Sequence, residues 1–254
     1  MERITQTVKH LIIINAIFFF VVQYNLIPSL NLNEITPIYF FENPEFRWWQ
    51  FISHMFMHGD LKHLFFNMYA LWAFGSPLEH IWGRNKFLFF YLSCGIGAAL
   101  IHSGVNYYYF QQGLQALAEA NVSSEMVKEV LLERNLHRIY QLREFIPSST
   151  FDDMMSAYFT PAVGASGAIY GILAAFAMMF PDAKLMLFFI PYPIKAKYFI
   201  PIIVGLDLFS GVTGFSVFGG NIAHFAHVGG ALMGFLMMWY WRKKSFDQNR
   251  WDRR

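Results

Sequence analysis

Charged residues are scarce in this chain of 254 residues: they make up 14% of the sequence, against 56% hydrophobic and 19% aromatic residues. Soluble domains carry about 25% charged residues. Together with long apolar runs and a mean hydropathy of +0.33, this shortage predicts an integral membrane protein. The net charge of +2 gives no indication of a nucleic-acid partner, and we expect none.

Cysteine is nearly absent as well. The single Cys94 excludes a disulfide within the chain and a cysteine-ligated metal cluster, and its place in an apolar run predicts a packed thiol. No small-residue cleavage site follows the first apolar run, so we expect the first helix to be retained as a membrane anchor. No transit peptide rich in Arg and Ser is visible.

Apolar windows predict an all-α fold with six membrane-spanning helices in one membrane domain over residues 1–254. The predicted spans are Val8–Ile27, Leu61–Ile81, Phe87–Tyr107, Ala165–Phe180, Tyr198–Val212 and His224–Trp241. Residues 111–159 are acidic on balance, and their apolar residues recur at near-helical spacing. This pattern predicts an extracytoplasmic insertion of one or two amphipathic helices. Packing on the membrane core is its favoured role, and contact with substrate or lipid is the alternative.

The loop lysines and arginines predict the orientation. With the N-terminus inside, thirteen of them fall on the inner side and six on the outer side, which favours both termini in the cytoplasm. Together with the missing transit peptide, this predicts a bacterial inner membrane as the location.

Four polar residues are expected at a shared depth in the membrane. Counted from the inner ends of their spans, Ser166, His227 and Asn67 lie at roughly 18–22 Å. His63 lies one helical turn above Asn67 on the same face. Polar groups at such depth are costly and are usually functional.

These residue types fit nucleophilic catalysis. Ser166 is inert until a base removes its proton, and the neutral imidazole of His227 can do so. Because Ser166 begins a helix, backbone N–H groups near it have no intrahelical partner. They can face a developing oxyanion together with Asn67 and His63.

Small residues around the serine predict close helix packing. Gly164 and Gly167 allow backbone to approach on both sides of Ser166. The small-residue faces are Gly167-xxx-Gly171 and Gly230-xxx-Gly234, which would pack the fourth span against the sixth. Tyr170, one turn below Ser166, is placed to stack on His227.

Each of these residues also has a structural interpretation. Gly-Ala-Ser-Gly alone is a common packing sequence, and a lone membrane histidine is more often a satisfied polar group; their combination favours catalysis. His54 and His58 have metal-ligand spacing, but no Glu accompanies them, so we expect structural hydrogen bonds and no metal. Asp207 can orient a histidine as the third member of a triad or hydrogen-bond between helices, and the second is favoured. His224 is expected to contact the outer loop.

Taken together, these motifs resemble those of a rhomboid intramembrane serine protease. The resemblance covers Trp48–Phe110 and Phe159–Trp241 and is specific in combination. The matching residues are His54-xxx-His58-xxxx-His63-xxx-Asn67, Gly164-Ala165-Ser166-Gly167-Ala168-Ile169-Tyr170 and Ala226-His227-Val228-Gly229-Gly230-xxx-Gly234.

The resemblance implies a six-helix rhomboid bundle of the bacterial type. Ser166 would be the nucleophile and His227 the general base, in a dyad without an acid. The Ser166 N–H, His63 and Asn67 would form the oxyanion hole, and Tyr170 would stack on the histidine. The fifth span and the loop at 209–223 would gate the entry of single-pass membrane protein substrates from the bilayer. No cofactor is implied.

The chain departs from the family pattern at two places. The Trp-Arg pair of the first loop is Trp49-Gln50 here, with Arg47 displaced. The insertion after the third span is also much longer than in compact bacterial members.

Two other functions compete with proteolysis. One is a catalytically silent rhomboid-like protein that binds membrane clients, which usually lacks the Ser or the His. The other is a small transporter or channel with a polar pathway of buried His, Asn and Asp. The sequence does not predict the oligomeric state.

Overall fold

The computed structural model describes residues 4–187, 190–215 and 223–248. Its helices are α1 (Gln6–Gln23), α2 (Leu32–Ile35), α3 (Gln50–Ser53), α4 (Leu61–Ala70), α5 (Ser76–Trp82), α6 (Arg84–Glu119), α7 (Ser124–Glu133), α8 (Leu136–Leu142), α9 (Ser148–Phe159), α10 (Ser166–Met179), α11 (Ala196–Thr213) and α12 (His224–Gln248). A π-helical segment, Leu71–Gly75, joins α4 to α5. Residues 216–222 of the predicted gating loop lie outside the described residues.

The predicted fold class is confirmed: the chain is an all-α polytopic membrane protein. By length and composition, α1, α6 and α11 are each able to cross a membrane, and α10 is a shorter apolar helix of 14 residues. The main core is shared by α1, α4–α6 and α10–α12, and it is built from large side chains such as Phe87, Phe90 and Tyr91.

A buried carboxylate fixes the start of α1. Glu79, on α5, accepts hydrogen bonds from the backbone N–H groups of Thr7 and Val8, each at 2.9 Å, and from the Thr5 hydroxyl at 2.5 Å. The first N–H groups of a helix have no intrahelical acceptor. Glu79 therefore caps α1 and ties it to the main core.

A short β-hairpin joins α10 to α11, which the sequence analysis did not anticipate. Strands β1 (Lys184–Leu187) and β2 (Ile190–Lys195) pair antiparallel, with Lys184 opposite Lys195. Beside the hairpin, Asp182 accepts from Lys197 at 2.9 Å and from Lys195 at 3.0 Å. The hydrogen bond from Lys197 lowers the pKa of the Asp182 carboxyl. These two exposed ion pairs lie at the start of α11.

The helix that contains the third predicted span runs well beyond it. α6 has 36 residues, or about 54 Å at 1.5 Å per residue, nearly twice the ~30 Å apolar thickness of a bilayer. Its C-terminal part buries Phe110, Leu114 and Leu117 against the insertion. α6 therefore contributes side chains both to the main core and to the core of the insertion.

The insertion is a small helical unit with a core of its own. It consists of the end of α6 and the three helices α7–α9. The sequence predicted one or two helices there. Ser123 caps α7, with its hydroxyl accepting from the Met126 N–H at 3.3 Å. Asn43, in the first loop (residues 24–60, between α1 and α4), donates to the Tyr158 carbonyl at 2.8 Å, and Lys128 pairs with Glu42 at 2.7 Å. These contacts hold the insertion against the first loop.

Helices α10 and α12 approach each other through glycine. A Cβ on Gly230 would lie 1.8 Å from the carbonyl oxygen of Gly167, and one on Gly234 would lie 2.5 Å from that of Gly171. No side chain fits between these backbones, so only glycine is accepted at the contact. A Cβ on Gly171 would lie 2.4 Å from the Sγ of Cys94, which is the buried, packed thiol expected.

We predict that Gly230→Ala destabilises the bundle. The added methyl group clashes with backbone, which cannot move aside as a flexible side chain would. We expect a loss of about 1–3 kcal/mol or more, measured as a lower thermal unfolding temperature in detergent micelles.

Gly104→Ala is the matched control. A Cβ at Gly104, an exposed position of α6, has nothing within 4 Å, and alanine is favoured over glycine in helices by about 1 kcal/mol. This variant is expected to unfold at the wild-type temperature or above it. Equal stability of the two variants would contradict the close approach of α10 and α12.

Candidate active site

The segment before α10 is held to the first loop by backbone hydrogen bonds. Ile38 and Ala162 exchange two bonds of 2.9 Å, and the Gly164 N–H donates to the His54 carbonyl at 2.9 Å. Gly164 has φ +119°, which is strained for residues with a side chain. These restraints set the position of Ser166, the first residue of α10.

Ser166 and His227 are in hydrogen-bond contact. The distance from Ser166 Oγ to His227 Nε2 is 2.8 Å, within the normal range for such bonds. The side chain of His227 is 14% exposed. Since Ser166 begins α10, the N–H groups of its first turn point out of the helix end without intrahelical acceptors. A nucleophile, a base and backbone donors therefore meet at one helix terminus.

The ring of His227 is held on its face and on its edge. The phenol ring of Tyr170 stacks on it at 4.2 Å between centroids, with 13° between the planes, as the sequence predicted. Its Nδ1 lies 3.2 Å from Oδ1 of Asp207. The resemblance implied a dyad without an acid, but here a carboxylate contacts the histidine.

Asp207 is fully buried on α11 and has two further partners. Tyr170 donates its hydroxyl hydrogen to Oδ2 of Asp207, and Nδ1 of His224 lies 2.6 Å from Oδ1. His224 therefore contacts α11; the outer loop that it was expected to contact lies largely outside the described residues. The sequence could place Asp207 at membrane depth, but it could not give the rotation of α11 that turns the carboxylate towards α12.

His63 lies beside the serine. A Cβ placed on Gly164 would be 2.7 Å from both Cε1 and Nε2 of His63 and 3.6 Å from Ser166 Oγ. The start of α4 is fixed by Asp60, which accepts from the His63 N–H at 2.9 Å. This hydrogen bond lowers the pKa of the Asp60 carboxyl.

Asn67 is buried one turn further along α4. Its amide nitrogen donates to the His63 carbonyl at 3.0 Å, which leaves a second N–H on the same nitrogen. The side chain thus braces the helix turn that carries His63.

Gln50 organises the first loop, a role that the sequence analysis missed. Its fully buried side chain accepts from the Arg47 N–H at 3.1 Å and donates to the Glu45 carbonyl at 2.9 Å. The Gln50 carbonyl lies 2.7 Å from His54 Nδ1. Gln50 therefore bonds the inside of the loop together with Arg47, whose guanidinium donates to the carbonyls of Pro44 at 2.6 Å and Phe46 at 2.7 Å. Among the residues the structure describes, no three His, Cys, Asp or Glu side chains are grouped to hold a metal ion.

A cavity of about 560 Å³ lies between the first loop and helices α8 and α9. Its lining includes none of the residues around Ser166. Two of its carboxylates are paired: Glu45 with Arg134 at 3.1 Å and Asp152 with Arg143 at 3.3 Å. A third carboxylate, that of Glu34, also lines the cavity.

The chain belongs to the rhomboid family, because the model of the Rhomboid domain matches residues 45–244. Most members of this family are serine proteases. The chain is 28% identical over 199 residues to Rhomboid protein 1, mitochondrial, of Saccharomyces cerevisiae, which covers 78% of this chain and 43% of that protein. It is 28% identical over 238 residues to the human Presenilin-associated rhomboid-like protein, mitochondrial, covering 92% of this chain and 47% of the relative. The chain thus spans about half the length of the curated relatives it matches.

These relatives correct the expected location. A bacterial inner membrane with both termini in the cytoplasm was predicted from the loop charges and from the missing transit peptide. The prediction is wrong, because the matching relatives are named as mitochondrial proteins. The bacterial type inferred from the motifs is corrected for the same reason. Charge asymmetry between loops gives an orientation relative to one membrane and does not identify that membrane.

We predict that Gln50→Leu loosens the first loop. Leucine has a similar volume but leaves the Arg47 N–H and the Glu45 carbonyl without their buried partner, which costs about 1–3 kcal/mol for each group. Faster amide hydrogen exchange over residues 35–54 is the expected result, measured by mass spectrometry.

Gln112→Leu, on an exposed position of α6, is the control for this experiment. Exchange in the first loop is expected to stay at the wild-type rate in this variant. Unchanged exchange in Gln50→Leu would contradict the role given to the glutamine.

Proposed function

We propose that this chain is an intramembrane serine endopeptidase in which Ser166 is the nucleophile and His227 the general base. The observation that carries the proposal is the 2.8 Å contact between Ser166 Oγ and His227 Nε2. It joins α10 to the mostly apolar N-terminal part of α12, where a serine and a histidine have few roles other than chemistry.

The proposed reaction proceeds through an acyl-enzyme. Nε2 of His227 takes the proton of Ser166 as Oγ bonds to the carbonyl carbon, and the carbonyl π electrons move to oxygen. The tetrahedral intermediate collapses, and His227 gives the proton to the leaving amine. A water molecule, deprotonated by the same imidazole, then hydrolyses the ester. The reaction uses these side chains and water, without a cofactor.

The oxyanion is proposed to be stabilised by the Ser166 N–H together with His63 and Asn67. The position of the His63 ring beside Gly164 and Ser166 supports the role of His63. The second amide N–H of Asn67 supports the role of Asn67. Preorganised donors of this kind are effective because they need no reorganisation as charge develops on the oxygen.

The proposed substrates are single-pass membrane proteins, taken from the lipid bilayer. A substrate helix has all its carbonyl groups hydrogen-bonded internally, so it must unwind locally before Ser166 can attack. Small residues near the cut favour such unwinding. The names of the relatives support a mitochondrial membrane as the place of cleavage.

The test is reconstitution of the wild type, Ser166→Ala and His227→Ala in liposomes with a labelled single-pass substrate rich in small residues near one end of its helix. We expect cleavage by the wild type alone. Loss of either group is expected to lower the rate by at least about 10⁴-fold, because the two act as a unit. Cleavage by all three would contradict the proposal.

Labelling with a fluorophosphonate distinguishes two explanations for a lack of cleavage: an unsuitable test substrate and a catalytically silent protein. If no variant cleaves, labelling of the wild type and not of Ser166→Ala would support a serine hydrolase with another substrate. Absence of labelling would favour the catalytically silent client-binding protein. Proton-coupled flux in Ser166→Ala would favour a transporter.

The oxyanion donors give a second prediction. Asn67→Ala and His63→Ala are each expected to lower kcat by about 10²–10³-fold with little change in KM, because the donors act mainly in the transition state. Asn33→Ala, an exposed amide in α2, is the control and is expected to keep the wild-type kcat. A rise in KM at constant kcat would instead assign Asn67 or His63 to substrate binding.

A further inference from the structure

The Asp207 carboxylate receives contacts from three side chains on two other helices. Nδ1 of His224 lies 2.6 Å and Nδ1 of His227 3.2 Å from its Oδ1, and Tyr170 donates to its Oδ2. The side chain of Asp207 is 1% exposed. A carboxylate buried in an apolar bundle costs several kcal/mol unless it is fully hydrogen-bonded. The energetic cost of burying the Asp207 carboxylate therefore indicates that this side chain has a function.

The contact with His227 determines which nitrogen of that ring carries hydrogen. The Asp207 oxygen can only accept, so Nδ1 of His227 must donate to it. The Nε2 lone pair then faces the hydroxyl of Ser166 at 2.8 Å. This is the tautomer that a general base for Ser166 requires.

The contact with Tyr170 fixes the same ring a second time. Tyr170 stacks on His227, and its hydroxyl is held by the second oxygen of Asp207. One carboxylate thereby holds the edge of the imidazole directly and its face through the phenol ring.

We propose that Asp207 is a positioning residue that fixes the tautomer and the orientation of His227. The inference rests on the proposed function of Ser166 and His227 and extends it to a third helix, α11. When His227 takes the proton of Ser166, the carboxylate stabilises the imidazolium that forms. Asp207 stays ionised throughout and passes on no proton.

Helix packing alone does not account for this geometry. The shorter contact, with His224, already ties α11 to α12, and two ion pairs of Asp182 lie at the other end of α11. The two remaining contacts of Asp207 are made with His227 and with the residue that stacks on it. These two contacts restrain the imidazole ring of His227, which a role in helix packing does not require.

The experiment compares wild type, Asp207→Leu and Asp207→Asn with Asp182→Asn, all as full chains in lipid nanodiscs. Ring ¹⁵N chemical shifts of labelled histidines report the tautomer at mildly alkaline pH, and the His227 signals are assigned by their loss in His227→Gln. The rate of fluorophosphonate labelling reports the reactivity of Ser166, and thermal unfolding reports folding. Asp182→Asn is the matched control, since it removes a carboxylate contact of α11 away from the site.

We expect His227 to be Nδ1-protonated in the wild type and in Asp182→Asn. In Asp207→Leu, which cannot accept a hydrogen bond, the Nε2-protonated form is expected to appear. The labelling rate of Asp207→Leu is expected to fall at least about 100-fold. The labelling rate of Asp182→Asn is expected to stay within about twofold of the wild-type rate. Asp207→Asn, which retains an acceptor but not the charge, is expected to lie between Asp207→Leu and the wild type.

Three results would overturn the inference. One is an Nε2-protonated His227 in the wild type, which decides the matter even if Asp207→Leu fails to fold. Another is an unchanged tautomer in a folded Asp207→Leu, whether or not labelling is lost. The third is an equal loss of labelling in Asp182→Asn. If the wild type itself does not react with the fluorophosphonate, the proposed function fails, and the tautomer comparison still tests Asp207.

Discussion

Helices α10 and α12 touch backbone to backbone, and the geometry of the site depends on that contact. A serine hydroxyl is only two bonds from its Cα, so it can reach a histidine on a neighbouring helix only if the two helices lie unusually close. Gly230 against the Gly167 carbonyl provides that closeness, since any side chain there would push the helices apart. In lipid, where no hydrophobic effect drives helices together, such small-residue contacts are a main source of association.

The second constraint is that polar groups inside an apolar bundle must satisfy one another. Ser166 is hydrogen-bonded to His227, and His227 is hydrogen-bonded to Asp207. Asp207 is also hydrogen-bonded to Tyr170 and His224. Removing one member leaves others without a partner in a medium where that is expensive. The network is therefore both a cost to folding and a means of holding the base in one orientation. Elsewhere in the described residues, Gln50 and Glu79 solve the same problem for backbone groups of the first loop and of α1.

The sequence predicted those parts of the fold that depend on local pattern. Apolar windows and glycine spacing indicated the membrane helices and the close partners, and the one-turn spacing of Tyr170 from Ser166 predicted the stack on His227. The position of Asp207 along α11 was also readable, but its contact was not, because the rotation of a mostly apolar helix leaves little trace in sequence. The extension of α6 to Glu119 was missed because the apolar window ends near Tyr107, where the chain becomes more polar although the helix continues. Gln50 was read only as a departure from a family pattern, since the backbone partners of its side chain, such as the Arg47 N–H and the Glu45 carbonyl, come together only after folding.

The most direct measurement is an experimental structure of the chain after reaction with a fluorophosphonate. We expect phosphorus to be bonded to Ser166 Oγ, with the phosphonyl oxygen within hydrogen-bond distance of the Ser166 N–H and of His63 or Asn67. Nδ1 of His227 should remain in contact with Asp207. A covalent bond at another residue, or a phosphonyl oxygen pointing away from the start of α10, would contradict the account.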